Sequence, residues 1–549
     1  MKLHRQIFPM LLALLLGLPA VTAPAAQLRR VQVTTTNGVL EGVVSADGLV
    51  RSFKGIPYAA PPVGPLRWKP PQPAPAWTGV RKAIKYGPRA MQGRIYSDMV
   101  FHDKGPSEDC LYLNIWMPEN PPANKLPVMV WIHGGGYVAG ASSEPRQDGG
   151  NLSKLGVMVV SFNYRMGIFG FFAHPELAAE SPQNATGNYG LLDQVAALQW
   201  VHDNIAAFGG DPENVTIFGE SAGSYSVSAL MASPLSHGLF HRAIGESGAL
   251  FSKTHPTISR DEAETNCLKF AESNFATGSL EKLRAVSAKK LLRAALKLPH
   301  EYFKPDIDGY FMPEDCATIY AAGRQSHVSL LAGWNRDEGW AGDFYKSQPA
   351  PLDTNGVPIH QKDPVFTNGA PTLADYVACA RNRFGANADE FLKLYPATTD
   401  AEAKRAAADY AGDRFIAYGT WKWIDLHLQT GGDSPIYRYH FEQPLPLAKD
   451  AKPGAQPTTP HASDIEFIFQ MLPSRKLPWG PDDFKVSDMM AAYWSNFAKN
   501  GDPNGPGLPN WPQYKRDDYQ VMHLKTDAAA APDSIRARYE FLDQLPIPW

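Results

Sequence analysis

The residues best suited to chemistry stand in Gly219-Glu220-Ser221-Ala222-Gly223. The run Val215-Thr216-Ile217-Phe218 precedes them and residues 224–231, which suit a helix, follow, so the serine occupies the strand, turn, helix context of a nucleophile elbow. Glycine is required on both sides because flanking side chains would clash in so tight a turn, and the strained turn pushes the hydroxyl into the open. Such a hydroxyl attacks acyl carbonyls once a base takes its proton. A surface turn with an ordinary serine is the competing reading, and the strand and helix flanks weigh against it. A second signal is His133-Gly134-Gly135-Gly136-Tyr137, directly after the apolar residues 128–132. Three glycines expose backbone N–H groups with no Cβ in the way. Gly135 and Gly136, together with the N–H of Ala222, could hold a developing oxyanion, where each donor contributes about 3 kcal/mol to the transition state. The same glycines would serve a phosphate only within G-x-x-x-x-G-K-[ST], which is absent.

These residues need a rigid frame, and the apolar pattern describes one. Residues 128–132, 157–162 and 215–218 are short, bulky or β-branched runs ending in glycine or polar residues, as buried strands do. Between the second and third, Leu191, Val195, Leu198, Val201 and Ile205 recur at helical spacing. Strands alternating with helices predict an α/β fold with a large, mostly parallel central sheet flanked by helices. Ahead of it, residues 31–36 and 39–40 are β-rich runs joined by Asn37-Gly38, which predicts an antiparallel hairpin at the amino-terminal edge. Residues 250–430 are rich in Ala, Lys, Leu and Glu with Pro-rich loops such as 347–371, and read as helical insertions into that frame.

Composition narrows the partners. Hydrophobic residues are 44% of 549, which excludes a disordered chain, and Gly 46 with Pro 48 in no repeat implies many loops. Lys+Arg 52 against Asp+Glu 55 gives a net charge of −3, so no bulk field favours nucleic acid or an anionic membrane. Lys2 and Arg5 precede an apolar run over residues 7–21, shorter than a bilayer span and followed by Ala23-Pro24-Ala25. Residues 1–25 read as a signal peptide, leaving 26–549 as one domain secreted or periplasmic, with net charge −5 and no stable membrane insertion. Four cysteines are too few for a disulfide scaffold.

With these motifs in place the chain resembles the type-B carboxylesterases of the α/β-hydrolase superfamily, the family of cholinesterases and bacterial para-nitrobenzyl esterases. Further landmarks carry the resemblance: Phe53-Lys54-Gly55-Ile56-Pro57-Tyr58-Ala59, Ser107-Glu108-Asp109-Cys110-Leu111-Tyr112-Leu113-Asn114, Asn163-Tyr164-Arg165-Met166-Gly167, Phe208-Gly209-Gly210-Asp211-Pro212 and Gly501-Asp502-Pro503-Asn504. It implies a triad in the order Ser, acid, His. The family's acid motif matches Asn335-Arg336-Asp337-Glu338-Gly339 and its histidine motif matches His461-Ala462-Ser463-Asp464, so the resemblance assigns Glu338 and His461 beside Ser221. By chemistry alone Asp337 serves equally well as the acid. Ser247 and Asp464 match the family's supporting hydrogen-bond network. Glu220 braces the elbow, His133 shapes the glycine loop, and His440, in an alternating strand-like run, is structural. Tyr137 and Tyr225, with Trp340 or Phe344, would line a substrate gorge unless they are core residues. No metal or organic cofactor is implied.

One departure concerns a disulfide. The family commonly joins the cysteine at position 110 to one just before a Gln, and here Ala90 occupies that place in Ala90-Met91-Gln92. The loop over residues 94–106 therefore lacks a constraint worth about 3 kcal/mol, which predicts a wider or more mobile mouth. Pairing among Cys267, Cys316 and Cys379 stays open, as does the oligomeric state. A second departure, Thr458-Thr459-Pro460 before the histidine, bears on the placement of His461. The expected activity is hydrolysis of a small-molecule carboxylic ester. The alternatives are an amidase, lactonase or polyester hydrolase with the same triad, and a catalytically idle binding protein on the same fold.

Overall fold

A computed structural model describes residues 29–121, 124–253, 256–340 and 372–546. The leader, the loop around residues 347–371 and Phe344 lie outside the described residues. The described chain opens with the hairpin Arg30–Thr35 and Gly38–Val44, joined in antiparallel register from Arg30 opposite Val43 to Thr35 opposite Gly38. Its turn residues are Thr36 and Asn37, one position earlier than the Asn-Gly signal places them. Tertiary hydrogen bonds account for the shift: Thr36 N donates to Asn204 Oδ1 at 2.9 Å and Asn37 Nδ2 to Ala74 O at 2.8 Å.

The hairpin begins a thirteen-stranded sheet. From this edge the order is Arg30–Thr35, Gly38–Val44, Val50–Pro57, Tyr112–Pro118, Met158–Phe162, Leu126–Ile132, Gly210–Glu220, Arg242–Glu246, Ser329–Asn335, Ile436–Phe441, Gln520–Leu524 and Ala529–Pro532, with Val80–Lys82 beside the second strand. The seven strands from Met158–Phe162 to Gln520–Leu524 are mutually parallel. Both edges are antiparallel, including a carboxy-terminal hairpin that the sequence pattern did not reveal. Interior strands such as Met158–Phe162 are buried on both faces, which is why they read as unbroken apolar runs.

Helices cover the two faces. On one lie Tyr189–Asn204 and Ala222–Ala232. On the other lies Pro481–Asn500, whose Met490, Trp494 and Phe497 pack with Trp131, Phe218 and Phe469. Tyr189–Asn204 buries more than the single expected stripe, because Asp193, Gln194 and Asn204 also face inward. Asp193 is there to meet Arg165: Nε and Nη2 of the arginine reach its carboxylate at 2.8 and 2.7 Å, and Arg165 Nη1 donates to Lys69 O at 2.9 Å. The expected insertions are helices with polar caps, Ser259, Ser279, Asp315, Thr372 and Thr399 each accepting a first-turn N–H. Residues 400–430 form one helical run interrupted by a π-turn at Asp413–Ala417. No helix among the described residues is long and apolar enough to cross a membrane.

All four cysteines are free, and Cys110 is buried. The loop that lacks the family disulfide is closed instead by backbone pairing of Arg89–Ala90 with Pro106–Ser107 and by Arg89 bound to Asp103 at 2.7 Å. Gln92 adds two hydrogen bonds to Gly140, tying the loop to the glycine segment.

The buried Arg165–Asp193 pair gives a stability test. Asp193→Ala strands a guanidinium inside the core and should cost about 3–5 kcal/mol in urea unfolding, while Arg165→Met with Asp193→Leu should restore most of that loss. Equal losses in the single and double variants would show that the pair contributes by shape and not by charge.

Candidate active site

The strand Gly210–Glu220 delivers Ser221 at its carboxyl end, and the helix Ala222–Ala232 begins on the next residue. Ser221 has φ 56° and ψ −122°, a conformation costly for a residue with a Cβ. The turn is held by Ser221 N donating to Glu246 O at 2.8 Å and by Tyr225 N donating to Ser221 O at 2.9 Å. A Cβ on Gly223 would collide with the carbonyl oxygen of Ile132, so the elbow can seat only a glycine there. This contact also sets the adjoining loop, since Ile132 ends the neighbouring strand and His133 to Gly136 continue from it.

Ser221 Oγ lies 2.9 Å from His461 Nε2, and His461 Nδ1 lies 2.7 Å from Glu338 Oε2. The other carboxylate oxygen of Glu338 accepts from Ser247 Oγ at 2.6 Å and from Asn335 N at 2.8 Å. Asp464 enters one step further away. It accepts from Asn335 Nδ2 at 3.3 Å and Tyr439 OH at 3.2 Å, so it reaches Glu338 through Asn335. Asp337 points elsewhere, to Arg336 and Arg405, and exchanges backbone and side-chain hydrogen bonds with Thr459 at 3.0 and 2.8 Å. That link, with Asn335 Nδ2 on Pro460 O at 3.0 Å, anchors the Thr-Thr-Pro segment just ahead of His461.

Glu220 does more than brace the turn. Its buried Oε1 lies 3.2 Å from His461 Nε2, outside hydrogen-bond geometry. Burial alone would weaken the proton affinity of His461, but the carboxylates of Glu220, Glu338 and Asp464 outweigh it and push the imidazole well above its usual range. Burial, reinforced by Asp464 and Glu338, likewise pushes the Glu220 carboxyl up. A proton on either group is thus held more tightly than it would be in water. Sequence reasoning missed this contact because a glutamate beside the serine carries no sign of which way its side chain turns.

Gly135 and Gly136, at φ 109° and 61°, line the cavity beside Ser221. Among the described residues neither of their N–H groups has an acceptor. A Cβ on Gly135 would run into Ala139 O. Ala222 is buried at the first helical position, where its N–H has no intrahelical partner. His133 lies behind the loop, stacked on Tyr164 at 4.5 Å between ring centres, and burial lowers its pKa to about 4.

The cavity over Ser221 has a volume of about 480 Å³. Tyr137 and Tyr225 both contribute to its wall. The Tyr137 hydroxyl, however, turns away to Ser226 Oγ at 3.1 Å, and its ring is packed against Phe171 and Tyr164. Trp340 corrects the gorge expectation: it is 65% exposed and is not part of the cavity wall. The aromatic group that covers His461 is Phe415, edge-on at 5.2 Å. It is presented by the π-turn, and Tyr225 OH donates to its carbonyl at 3.3 Å. Tyr96 and Met99 of the loop over residues 94–106 complete one side.

The chain has relatives among known proteins. The model of the carboxylesterase family matches residues 29–542. The chain is 35% identical over 506 residues to fumonisin B1 esterase of Sphingopyxis macrogoltabida, covering 88% of this chain and 84% of that protein. It is 34% identical over 521 residues to para-nitrobenzyl esterase of Bacillus subtilis (strain 168), covering 90% and 95%. A solved PNB esterase superposes with a TM-score of 0.76 at 32% identity, over 94% of this chain and 99% of that one.

The field around His461 is testable by titration. Glu220→Gln removes an anion that favours the imidazolium, so the protonation midpoint of His461, followed by NMR of its ring protons, should fall by about 1–3 pH units. The alkaline rise of activity should move to lower pH with it. An unchanged midpoint would mean that Glu220 exerts no charge on the imidazole.

Proposed function

The chain belongs to the carboxylesterase family, and from that premise we propose that it hydrolyses carboxylic esters through an acyl-enzyme formed on Ser221. The observation that carries the reading is the unbroken relay of Ser221, His461 and Glu338, with 2.9 and 2.7 Å links. Glu338 holds His461 with its Nδ1–H toward the carboxylate, so the Nε2 lone pair faces the serine hydroxyl. As Oγ attacks the ester carbonyl, Nε2 takes its proton. The carbonyl oxygen gains negative charge and is received by the N–H groups of Gly135, Gly136 and Ala222. The imidazolium that results has Glu338 on one nitrogen and Glu220 near the other, which stabilises the charge as it develops. It then protonates the departing alkoxide. Water repeats the sequence with His461 as base and releases the acid.

Two details support this assignment of roles. Glu338 has both oxygens occupied, one by His461 and the other by Ser247 and Asn335, so its carboxylate is fixed before substrate arrives. The alternative acid, Asp337, is committed to Arg336, Arg405 and the Thr459 backbone. A cavity of about 480 Å³ suits a small-molecule ester, and its wall combines aromatic side chains such as Tyr96, Tyr225 and Phe415 with charged ones such as Arg146 and Lys304. Ester in preference to amide follows from the leaving group: an alkoxide departs with less help from a general acid than an amine does. We propose also that residues 1–25 direct export of the chain, a reading that rests on Lys2, Arg5 and the short apolar run.

Ser221→Ala should reduce kcat on para-nitrophenyl esters by roughly a million-fold, because nucleophile and base act as a unit. Matched ester and amide substrates should differ strongly in kcat/KM in favour of the ester. Turnover that persists in Ser221→Ala would overturn the assignment.

A further inference from the structure

We propose that the chain carries a divalent transition-metal site, separate from the catalytic cavity, formed by His440, Glu442 and His523. The sheet register builds it. The parallel strands Ile436–Phe441 and Gln520–Leu524 pair His440 with His523, which sends both imidazoles out on one face. Glu442 follows His440 by two residues, on that same face, and its N–H continues the pairing by donating to Leu524 O at 2.9 Å. His440 Nδ1 and His523 Nδ1 converge on Glu442 Oε1 at 3.0 and 2.6 Å. All three donor atoms lie within 4.8 Å of one another, and the two rings stand at 80° so that their Nδ1 edges meet over a common point.

The donors fit an ion of a definite class. Two imidazole nitrogens and one carboxylate favour zinc, cobalt, nickel or copper over magnesium or calcium, which take oxygen. Bonds of about 2.0–2.2 Å to a tetrahedral ion place neighbouring donors about 3.3 Å apart, so the contacts of Glu442 with His440 and His523, now 3.0 and 2.6 Å, need to open by less than about 1 Å. The side chains are 14%, 16% and 26% exposed for His440, Glu442 and His523, which admits solvent to a fourth position. Each imidazole enters as its Nε2–H tautomer: the Nδ1 proton leaves to water and another is taken at Nε2, with no net loss from a neutral ring. The opposing charge is Lys525, whose Nζ lies 3.1 Å from the other oxygen, Glu442 Oε2. It weakens the site without occupying the donor atoms. None of the three donors belongs to the wall of the catalytic cavity. Bound there, an ion would staple two adjacent strands, with His440 seated against Trp334 on the strand that leads to Asn335 and Glu338.

The full chain, stripped of metal, would be titrated with Co²⁺ and followed by visible absorption, then challenged with Zn²⁺. The expected result is one Co²⁺ per chain with the bands of a four- or five-coordinate ion, displaced by Zn²⁺. His523→Asn and Glu442→Gln should each weaken binding at least tenfold, and Lys525→Met should strengthen it several-fold. Unchanged esterase turnover of His523→Asn in metal-free buffer would show that this variant is folded. The proposal is overturned if Co²⁺ fails to bind at millimolar concentration, if His523→Asn binds it as tightly as the parent, or if His461→Asn abolishes binding, which would place the ion at the catalytic histidine.

Discussion

The approach of Gly223 to the carbonyl of Ile132 is the contact on which the site depends. It lets the helix Ala222–Ala232 start directly against the neighbouring strand, which forces Ser221 into its positive-φ turn and lifts the hydroxyl clear of the sheet. The same approach fixes where the strand Leu126–Ile132 ends, and therefore where Gly135 and Gly136 turn their N–H groups. One backbone contact thus places the serine and the donors that would face its oxyanion at once. A methyl group at this point would separate the two, and neither relay nor donors could compensate.

Electrostatics form the second layer. Three buried carboxylates, Glu220, Glu338 and Asp464, act on a single imidazole, and the parallel register sets a fourth, Glu246, directly beside Glu220. Burial pushes Glu220 and Glu246 up, while Asp464 rises to about 6 through burial and the nearby Glu338. So many acids would repel one another if all were ionised. Protons held on some of them reduce that repulsion while leaving a net field that favours the imidazolium. Glu338 differs from its neighbours in having three hydrogen-bond partners, which fix the orientation of its carboxyl group toward His461.

Much of this was legible in the sequence, for reasons that differ by residue. The elbow and the glycine loop could be read because tight backbone geometry admits only glycine, and a strand and a helix with ordinary periodicity flank them. The parallel core followed from runs such as Met158–Phe162, buried on both faces. His461 and Glu338 needed family resemblance, since they lie 240 and 117 residues from Ser221 in a chain with fifteen histidines, and no local pattern marks their meeting. Asp337 and Glu338 are neighbours of equal chemistry, separated by tertiary partners: Arg336, Arg405 and the Thr459 backbone engage Asp337, whereas Ser247, Asn335 and His461 engage Glu338. The π-turn that sets Phe415 over His461, the inward rotation of Glu220 and the replacement of a disulfide by the pairing of Arg89–Ala90 with Pro106–Ser107 left no trace at all. Each arises from tertiary packing, which overrides local preference. The hairpin turn moved by one residue for the same reason, pulled by Asn204 and Ala74.

The central claim is that an acyl group passes through Ser221, and rapid-quench mass spectrometry with a slowly deacylating carbamate ester tests it most directly. The account predicts one carbamoyl group per chain, mapped to the peptide containing Gly219-Glu220-Ser221-Ala222-Gly223 and attached to Ser221. Modification of a different residue, or turnover of the ester with no covalent adduct at any quench time, would contradict it.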